Sequence, residues 1–414
     1  MQSLVDLRLD QLFSRFGFLF GAALLALGLI GLVFLLRWSH ASRPVLGVSL
    51  AVAAAAAILG AALFAPAAGR VGRALQRVVA NPGPPAPSGP FPTRALDVLL
   101  PPREGAGAPI RVRLFIPAAA PAGEEQSLSC ADLGGLRLAD PAPARAFQLL
   151  VYTPGLLSVA TDSASTAAQL ASRGYVVAAL DDPGHDAPTD PAHPFFDFSS
   201  DEAFAQMVAR STAKSQADAR RAQEALDRLT ACASGAFAER VDFARVGAYG
   251  FSFGGSVAAT LALLDPRVVA AANLSGFVFG PARDAAQKPY LVLLEDEPLP
   301  TQADFASAAA ERRIYKTAQA EFLDAQAKRL AAPDAYGFIL RGTTHANFND
   351  SIFSRADAKY WPFADPQQAQ ANVVAYLCAF FGHYLRGEPP GLLTAAPGKE
   401  IVALKGRPDW RTWE

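Results

Sequence analysis

The sequence predicts an α/β domain built on a mostly parallel, doubly wound sheet and preceded by a two-helix transmembrane hairpin. Three observations carry that prediction. From about residue 93 onward, short apolar runs rich in Val, Leu and aromatic residues alternate with helical segments. A G-x-S-x-G pentapeptide, Gly250-Phe251-Ser252-Phe253-Gly254, stands where a strand should turn sharply into a helix. Two stretches without a charge, Phe16–Leu36 and Pro44–Gly69, lie near the start of the chain.

Those two stretches contain 21 and 26 residues. At about 1.5 Å per residue each is long enough for a hydrocarbon core of roughly 30 Å. The expectation is therefore an N-terminal membrane region, 1–80, with spans at 16–36 and 45–69 joined by Arg37–Arg43. The first stretch is too long for a simple signal peptide, and no small-residue cleavage site follows it. The alanine-rich second stretch has a competing reading as a buried soluble helix. Residues 81–92 hold six prolines in twelve positions, which reads as a semi-rigid spacer reaching about 37 Å at roughly 3.1 Å per residue. The soluble domain is expected over 93–414.

Composition excludes some functions. The 414 residues carry a net charge of −1 and no Lys/Arg-rich block, which argues against a nucleic-acid surface. Cys130, Cys232 and Cys378 lie far apart with no C-x-x-C pair, so no metal site and no cofactor are expected. Cys378, inside an apolar run, reads as a small core residue. A Cys130–Cys232 disulfide is conceivable in an oxidising compartment, although the spacing alone does not establish it.

Within the soluble domain, Ala95–Leu100 and Ile110–Ile116 read as an opening pair of strands. Phe147–Thr153, Tyr175–Leu180, Val246–Tyr249, Val268–Leu274, Tyr290–Leu294 and Tyr336–Leu340 are continuous apolar runs, as strands buried on both faces read. Ser199-x-x-Glu202 reads as a capping box opening a long amphipathic helix to about Leu229. Ser256–Leu264 reads as a buried helix, Thr301–Ala331 as a helical insertion, and Gln367–Leu385 as a last helix stopped by Arg386-Gly387.

Ser252 is the candidate nucleophile, because the flanking glycines admit a strained turn that side chains would obstruct. A serine hydroxyl needs an imidazole to take its proton. His345 lies in a loop past the last long strand, 93 residues downstream, in the chain order expected of an α/β-hydrolase fold. His185, after a strand end, is a weaker candidate for substrate contact. The oxyanion hole needs two backbone N–H groups. Phe253 offers one, and the loop Thr153-Pro154-Gly155-Leu156-Leu157 the other. Pro154 has no N–H, which leaves Gly155, Leu156 or Leu157.

The elbow, the Pro154-Gly155-Leu156 loop, Leu170–Val177 and His345-Ala346-Asn347-Phe348-Asn349-Asp350 together resemble the plasma-type platelet-activating factor acetylhydrolases and their bacterial relatives. The resemblance covers roughly 93–385 and excludes the hairpin. It implies a calcium-independent serine esterase for short or oxidised acyl chains, with the Leu156 and Phe253 N–H groups as oxyanion hole. Two departures stand out. Pro154 replaces a usual histidine, and Leu274-Ser275-Gly276 stands where the family carries its triad aspartate. The expected substitute is Asp296 in Leu294-Glu295-Asp296-Glu297-Pro298, with Glu295 and Glu297 left open; a solvated turn is the competing reading of those carboxylates.

The function expected is a membrane-anchored serine carboxylic ester hydrolase acting on a small-molecule or phospholipid-like ester. The alternative is a catalytically impaired homologue that binds an acyl or lipid ligand, because position 275 is serine. A dienelactone-hydrolase-like enzyme is a third reading, set aside because that chemistry relies on cysteine and residue 252 is serine. Arg8, Arg15, Arg70, Arg73 and Arg77 against Arg37 and Arg43 place the hydrolase domain on the cytoplasmic side.

Overall fold

A computed structural model describes residues 83–102, 107–120, 127–140, 146–187, 194–283, 288–354 and 364–413. The chain divides into two units, Met1–Pro82 and Gly83–Glu414, and the described residues all belong to the second. The expected spans at 16–36 and 45–69 and the arginines used to orient them lie outside the described residues. Among the described residues, no helix is long and apolar enough to cross a membrane.

The strands are β1 (Thr93–Leu100), β2 (Ile110–Pro117), β3 (Ser127–Ser129), β4 (Phe147–Thr153), β5 (Tyr175–Leu180), β6 (Val241–Phe251), β7 (Val268–Leu274), β8 (Tyr290–Glu295), β9 (Ala335–Leu340) and β10 (Ile401–Ala403). They form one sheet in the order β10-β9-β8-β7-β6-β4-β5-β2-β1-β3. The run from β5 through β4, β6, β7 and β8 to β9 is parallel. β2 joins β5 and β1 antiparallel, and β10 joins β9 antiparallel. β4 and β5 are buried at every position, as their unbroken apolar sequences predict. β3 and β10, three residues each, were not expected.

The helices are α1 (Ala164–Ala171), α2 (Asp201–Cys232), α3 (Gly235–Arg240), α4 (Phe253–Leu264), α5 (Gln302–Phe305), α6 (Ala310–Leu330) and α7 (Pro366–Arg386). They cover both faces and seal two apolar cores. One core collects Leu149, Val151, Val246 and Ala248 from the strands with Ala219, Leu226, Val257 and Leu261 from α2 and α4. The other collects Leu150, Tyr152, Tyr249 and Leu291 with Leu170, Phe380 and Phe381 from α1 and α7. Alternate residues of each strand serve alternate cores, as pleating requires. Cys378 lies within α7, and burial pushes its thiol up to about 11, in keeping with a packing role.

Three local expectations need correction. The cap of α2 is Ser200, whose hydroxyl accepts from the Ala203 N–H at 3.1 Å; Ser199 instead donates its N–H to Asp197. The 301–331 insertion is two helices, because Thr301 and Asp304 close a capping box around the short α5 before α6 begins. The described part of the proline-rich segment is not a free spacer. Ser88 and Gly89 donate their N–H groups to Gln169 Oε1 and Ser172 Oγ, Phe91 N–H donates to Ser172 O, and the Phe91 ring meets Phe147 edge-on at 5.5 Å. A Cβ on Gly89 would fall 2.1 Å from Ser172 O, so glycine permits the docking. Proline fixes φ without donating, which suits a strip held by its few remaining donors.

Cys130 and Cys232 form a disulfide across 102 residues, with Cα atoms 5.1 Å apart. It fastens the segment after β3 to the end of α2.

Candidate active site

Sheet order reverses beside β4: the chain runs from β4 outward to β5, then returns to place β6 on the other side of β4. Open α/β sheets bind ligands in the crevice at such a switch point, beyond the carboxyl ends of the strands. Three non-glycine residues among those described have φ in the left-handed region: Leu157 at 60°, Ser252 at 54° and Ser275 at 58°. They follow β4, β6 and β7 respectively, so all three gather at this one edge. Such conformations cost of order 1–3 kcal/mol each and persist where surrounding structure enforces them.

The turn at Ser252 is enforced by backbone packing. Its N–H donates to Leu274 O and its carbonyl accepts from Gly255 N–H, both at 2.9 Å. A Cβ on Gly250 would lie 2.0 Å from Gly254 O, and one on Gly254 would lie 2.0 Å from Thr153 O. Both glycines are therefore steric requirements, as the pentapeptide predicts. Thr153 Oγ1 donates to Gly254 O at 2.8 Å and ties β4 to the first turn of α4. Gly276, after β7, presses equally close: its Cβ would lie 2.0 Å from Ser252 O.

His345 opens the loop after β9. Asn347 Oδ1 accepts the Thr344 N–H at 2.7 Å and tightens the loop around the histidine, while Phe348 is buried in the core. Asp350 accepts Ser165 N–H at 2.8 Å and also the Ser165 hydroxyl, capping the start of α1. Burial pushes the Asp350 carboxyl above its ordinary value, and the Ser165 bonds only partly offset it. In the H-x-N-F-x-D motif, Asn347, Phe348 and Asp350 hold the loop that carries His345. The imidazole packs against Phe251 with ring centroids 4.7 Å apart. No hydrogen bond joins Ser252 Oγ to His345 among the described residues; such bonds are often formed only with substrate bound.

The carboxylate beside the imidazole is Glu295. Its Oε1 lies 3.6 Å from His345 Nδ1, and Ser275 Oγ lies 2.5 Å from the same nitrogen. Asp296, the residue expected there, is engaged elsewhere: it accepts from Gly342 N–H at 2.8 Å and pairs with Arg341 at 3.2 Å. Strand pleating is the reason. Leu291 and Leu293 lie in the same core as Phe251, so the next residue on that face is Glu295, whereas Asp296 turns to the β9 side. Glu297 accepts from Tyr315 Oη at 2.9 Å and Lys316 Nζ at 3.2 Å. Burial pushes the Glu295 carboxyl up, but the neighbouring His345, the Ser275 hydroxyl and its own backbone outweigh burial, leaving it below the ordinary value.

The loop after β4 turns at Gly155-Leu156-Leu157. Ser158 N–H donates to Gly155 O at 3.1 Å, and Ser158 O accepts Asp182 N–H at 3.0 Å from the end of β5. Asp182 is buried and pairs with Lys214 of α2 at 3.0 Å, which in turn pairs with Asp218 at 2.9 Å. The Phe253 N–H heads α4 and has no intrahelical acceptor. Around it the Phe253 ring meets Phe195, Phe196 and Phe279 at centroid distances of 5.9, 6.5 and 5.9 Å. Leu157 and Phe196 are 38% and 37% exposed, an apolar rim beside the crevice. His185 is occupied by the Asp182 carbonyl and the Asp186 carboxylate. Among the described residues no group of His, Cys, Asp or Glu is arranged to hold a metal ion.

The dienelactone hydrolase family model matches residues 146–331, which include Ser252 and Glu295 and end before His345. The match supports a hydrolase of the esterase kind, and residue 252 within it is serine, not the cysteine for whose absence a dienelactone-hydrolase-like enzyme was set aside above. No curated protein matches. Among solved structures, a ferulic acid esterase from Streptomyces cinnamoneus is similar, at 21% identity and a TM-score of 0.50, over 77% of this chain and 98% of that chain. That likeness supports an α/β-hydrolase-type fold with a mostly parallel sheet.

Proposed function

We propose that the domain is a serine carboxylic ester hydrolase, with Ser252 as nucleophile, His345 as base and Glu295 as the carboxylate behind it. The observation that carries this reading is the convergence of the Ser252 elbow and the His345–Glu295 pair on one edge of the sheet. Ser252 Oγ attacks the ester carbonyl carbon as its proton passes to His345 Nε2. The carbonyl π electrons move to oxygen, and the N–H groups of Leu156 and Phe253 hold that oxyanion. Collapse expels the alcohol, which takes the proton from His345 and leaves an acyl group on Ser252. Water then attacks the acyl carbon and loses its proton to His345. The second collapse returns that proton to Ser252 Oγ and releases the carboxylic acid.

The impaired-homologue alternative rested on the absence of a charge behind the imidazole. Glu295, 3.6 Å from Nδ1, supplies that charge and favours turnover. Exposed Leu157 in the loop after β4 and Phe196 against Phe253 favour an ester with an apolar acyl or alcohol part, compatible with short or oxidised acyl chains and with phospholipid-like esters. Hydrolysis of p-nitrophenyl esters across acyl lengths, with and without Ser252→Ala, tests the reading. Turnover that survives Ser252→Ala overturns it.

The reading includes a membrane anchor formed by the uncharged stretches at 16–36 and 45–69. For sidedness, the arginine count favours the cytoplasm and the Cys130–Cys232 disulfide favours an oxidising compartment. The bond is the stronger guide, because five arginines against two is a small margin across a short loop.

A further inference from the structure

We propose that Ser275 is a positioning residue whose hydroxyl links His345 to Glu295, accepting from Nδ1–H and donating to the carboxylate. The hydroxyl is the nearer partner of Nδ1, at 2.5 Å against 3.6 Å for Glu295 Oε1. Nδ1 has a single hydrogen to give, and the hydroxyl takes it. A hydroxyl that has accepted a hydrogen bond still carries its own hydrogen. Ser275 is buried, so that hydrogen needs an acceptor close by, and the Glu295 carboxylate, 3.6 Å from the same imidazole nitrogen, is the acceptor this proposal assigns to it. The arrangement keeps the proton on Nδ1 and leaves Nε2 free to accept one. No proton reaches Glu295 in this scheme; the carboxylate stabilises the imidazolium through one intervening O–H.

The turn that carries the hydroxyl is locked. Ser275 N–H donates to Leu293 O at 2.8 Å, pinning it to β8 two residues before Glu295. Asn273 Oδ1 accepts Gly276 N–H at 3.0 Å while its Nδ2 donates to Gly276 O at 2.7 Å and reaches Tyr290 Oη at 3.1 Å. Gly276 in turn lies hard against Ser252 O. The hydroxyl is therefore placed by the same backbone contacts that place the nucleophile. The left-handed φ of 58° at Ser275 fits a residue held for its position.

The catalytic meaning of the link rests on the hydrolase reading, but the link itself is testable without turnover. Ser275→Gly suits the test because glycine accepts the left-handed backbone conformation while removing the side chain that carries the hydroxyl. The Nδ1–H proton resonance of His345 is expected far downfield in the wild-type protein and lost in both Ser275→Gly and Glu295→Gln. In ester hydrolysis each single change is expected to lower kcat/KM about a hundredfold through kcat, with the double variant no worse than the poorer single. Ser275→Asp in the Glu295→Gln background is expected to recover at least about tenfold, by returning a carboxylate to the imidazole. A Ser275→Gly protein with the wild-type resonance and turnover overturns the proposal, showing that Glu295 reaches the imidazole unaided. Equal hydrolysis by wild type and Ser252→Ala removes the hydrolase reading, while the resonance still decides the link.

Discussion

Glu295 Oε1 lies 3.6 Å from His345 Nδ1, while the next residue in the chain, Asp296, faces the Gly342 N–H and Arg341. A shift of one residue along a strand end decides which carboxylate can act on the histidine. The carboxylate beside His345 stands at the end of β8, and Ser275 at the end of β7 keeps a polar contact to the same nitrogen.

Glu295→Gln is expected to reduce kcat by about a hundredfold, the low end of the range for losing the group behind a catalytic histidine. Asp296→Asn is expected to spare most turnover and to lower stability, because it removes the charge from the Arg341 pair and weakens the cap on the 341–343 turn. Steady-state kinetics beside urea melts of the two variants check the contrast. The reverse ranking would return the acid to Asp296.

Glu295 also links stability to pH. Its folded carboxyl is depressed, so the stabilisation is present above the ordinary value of 4.5 and is lost as pH falls through the lower folded value. Urea midpoints for the wild type are therefore expected to fall more steeply than those of Glu295→Gln as the solution is taken from about pH 6 to about pH 3. Parallel curves would show that the carboxylate gains nothing from its neighbours.

Removing the cross-link by Cys130→Ser and Cys232→Ser together is expected to cost about 2–5 kcal/mol, since the bond closes a loop of 102 residues. Turnover per folded molecule should not change, because the bond lies at the end of α2 away from the crevice loops. The same pair reports on sidedness. Without added reductant, a membrane-impermeant thiol reagent applied to intact cells is expected to leave both cysteines unlabelled, and to label them after an impermeant reductant. Labelling only after the cells are lysed would place the domain in the cytoplasm.

Phe196→Ala is expected to raise KM several-fold for esters with apolar acyl groups and to leave acetyl esters nearly unchanged, because the ring forms part of the exposed rim against Phe253. An equal loss on both ester types would assign Phe196 to structure instead of substrate contact.

Much of this architecture was legible in the chain. Continuous apolar runs located β4, β5 and β7 to the residue, because a strand buried on both faces has no polar alternation to blur its ends. Ser252 was legible through glycines that the turn requires, and His345 through its place after β9. The carboxylate nearest His345 is Glu295 and not the expected Asp296, for a nameable reason. Three adjacent carboxylates look alike in composition, and only the period-two alternation carried on from Leu291 and Leu293 singles out Glu295 as the one on the His345 face. The cap of α2 was misplaced by one residue because Ser199-Ser200-Asp201-Glu202 offers two serines in competing registers. The docking of residues 83–92 depends on Gln169 and Ser172, some eighty residues away, and no local pattern announces such contacts.

The most direct measurement is reaction with a fluorophosphonate followed by peptide mass spectrometry. The wild-type protein is expected to carry a single adduct on Ser252, formed far more slowly in His345→Ala and absent from Ser252→Ala. A wild-type protein that stays unmodified, or that reacts as fast without His345, would contradict the assignment of an activated serine at this site.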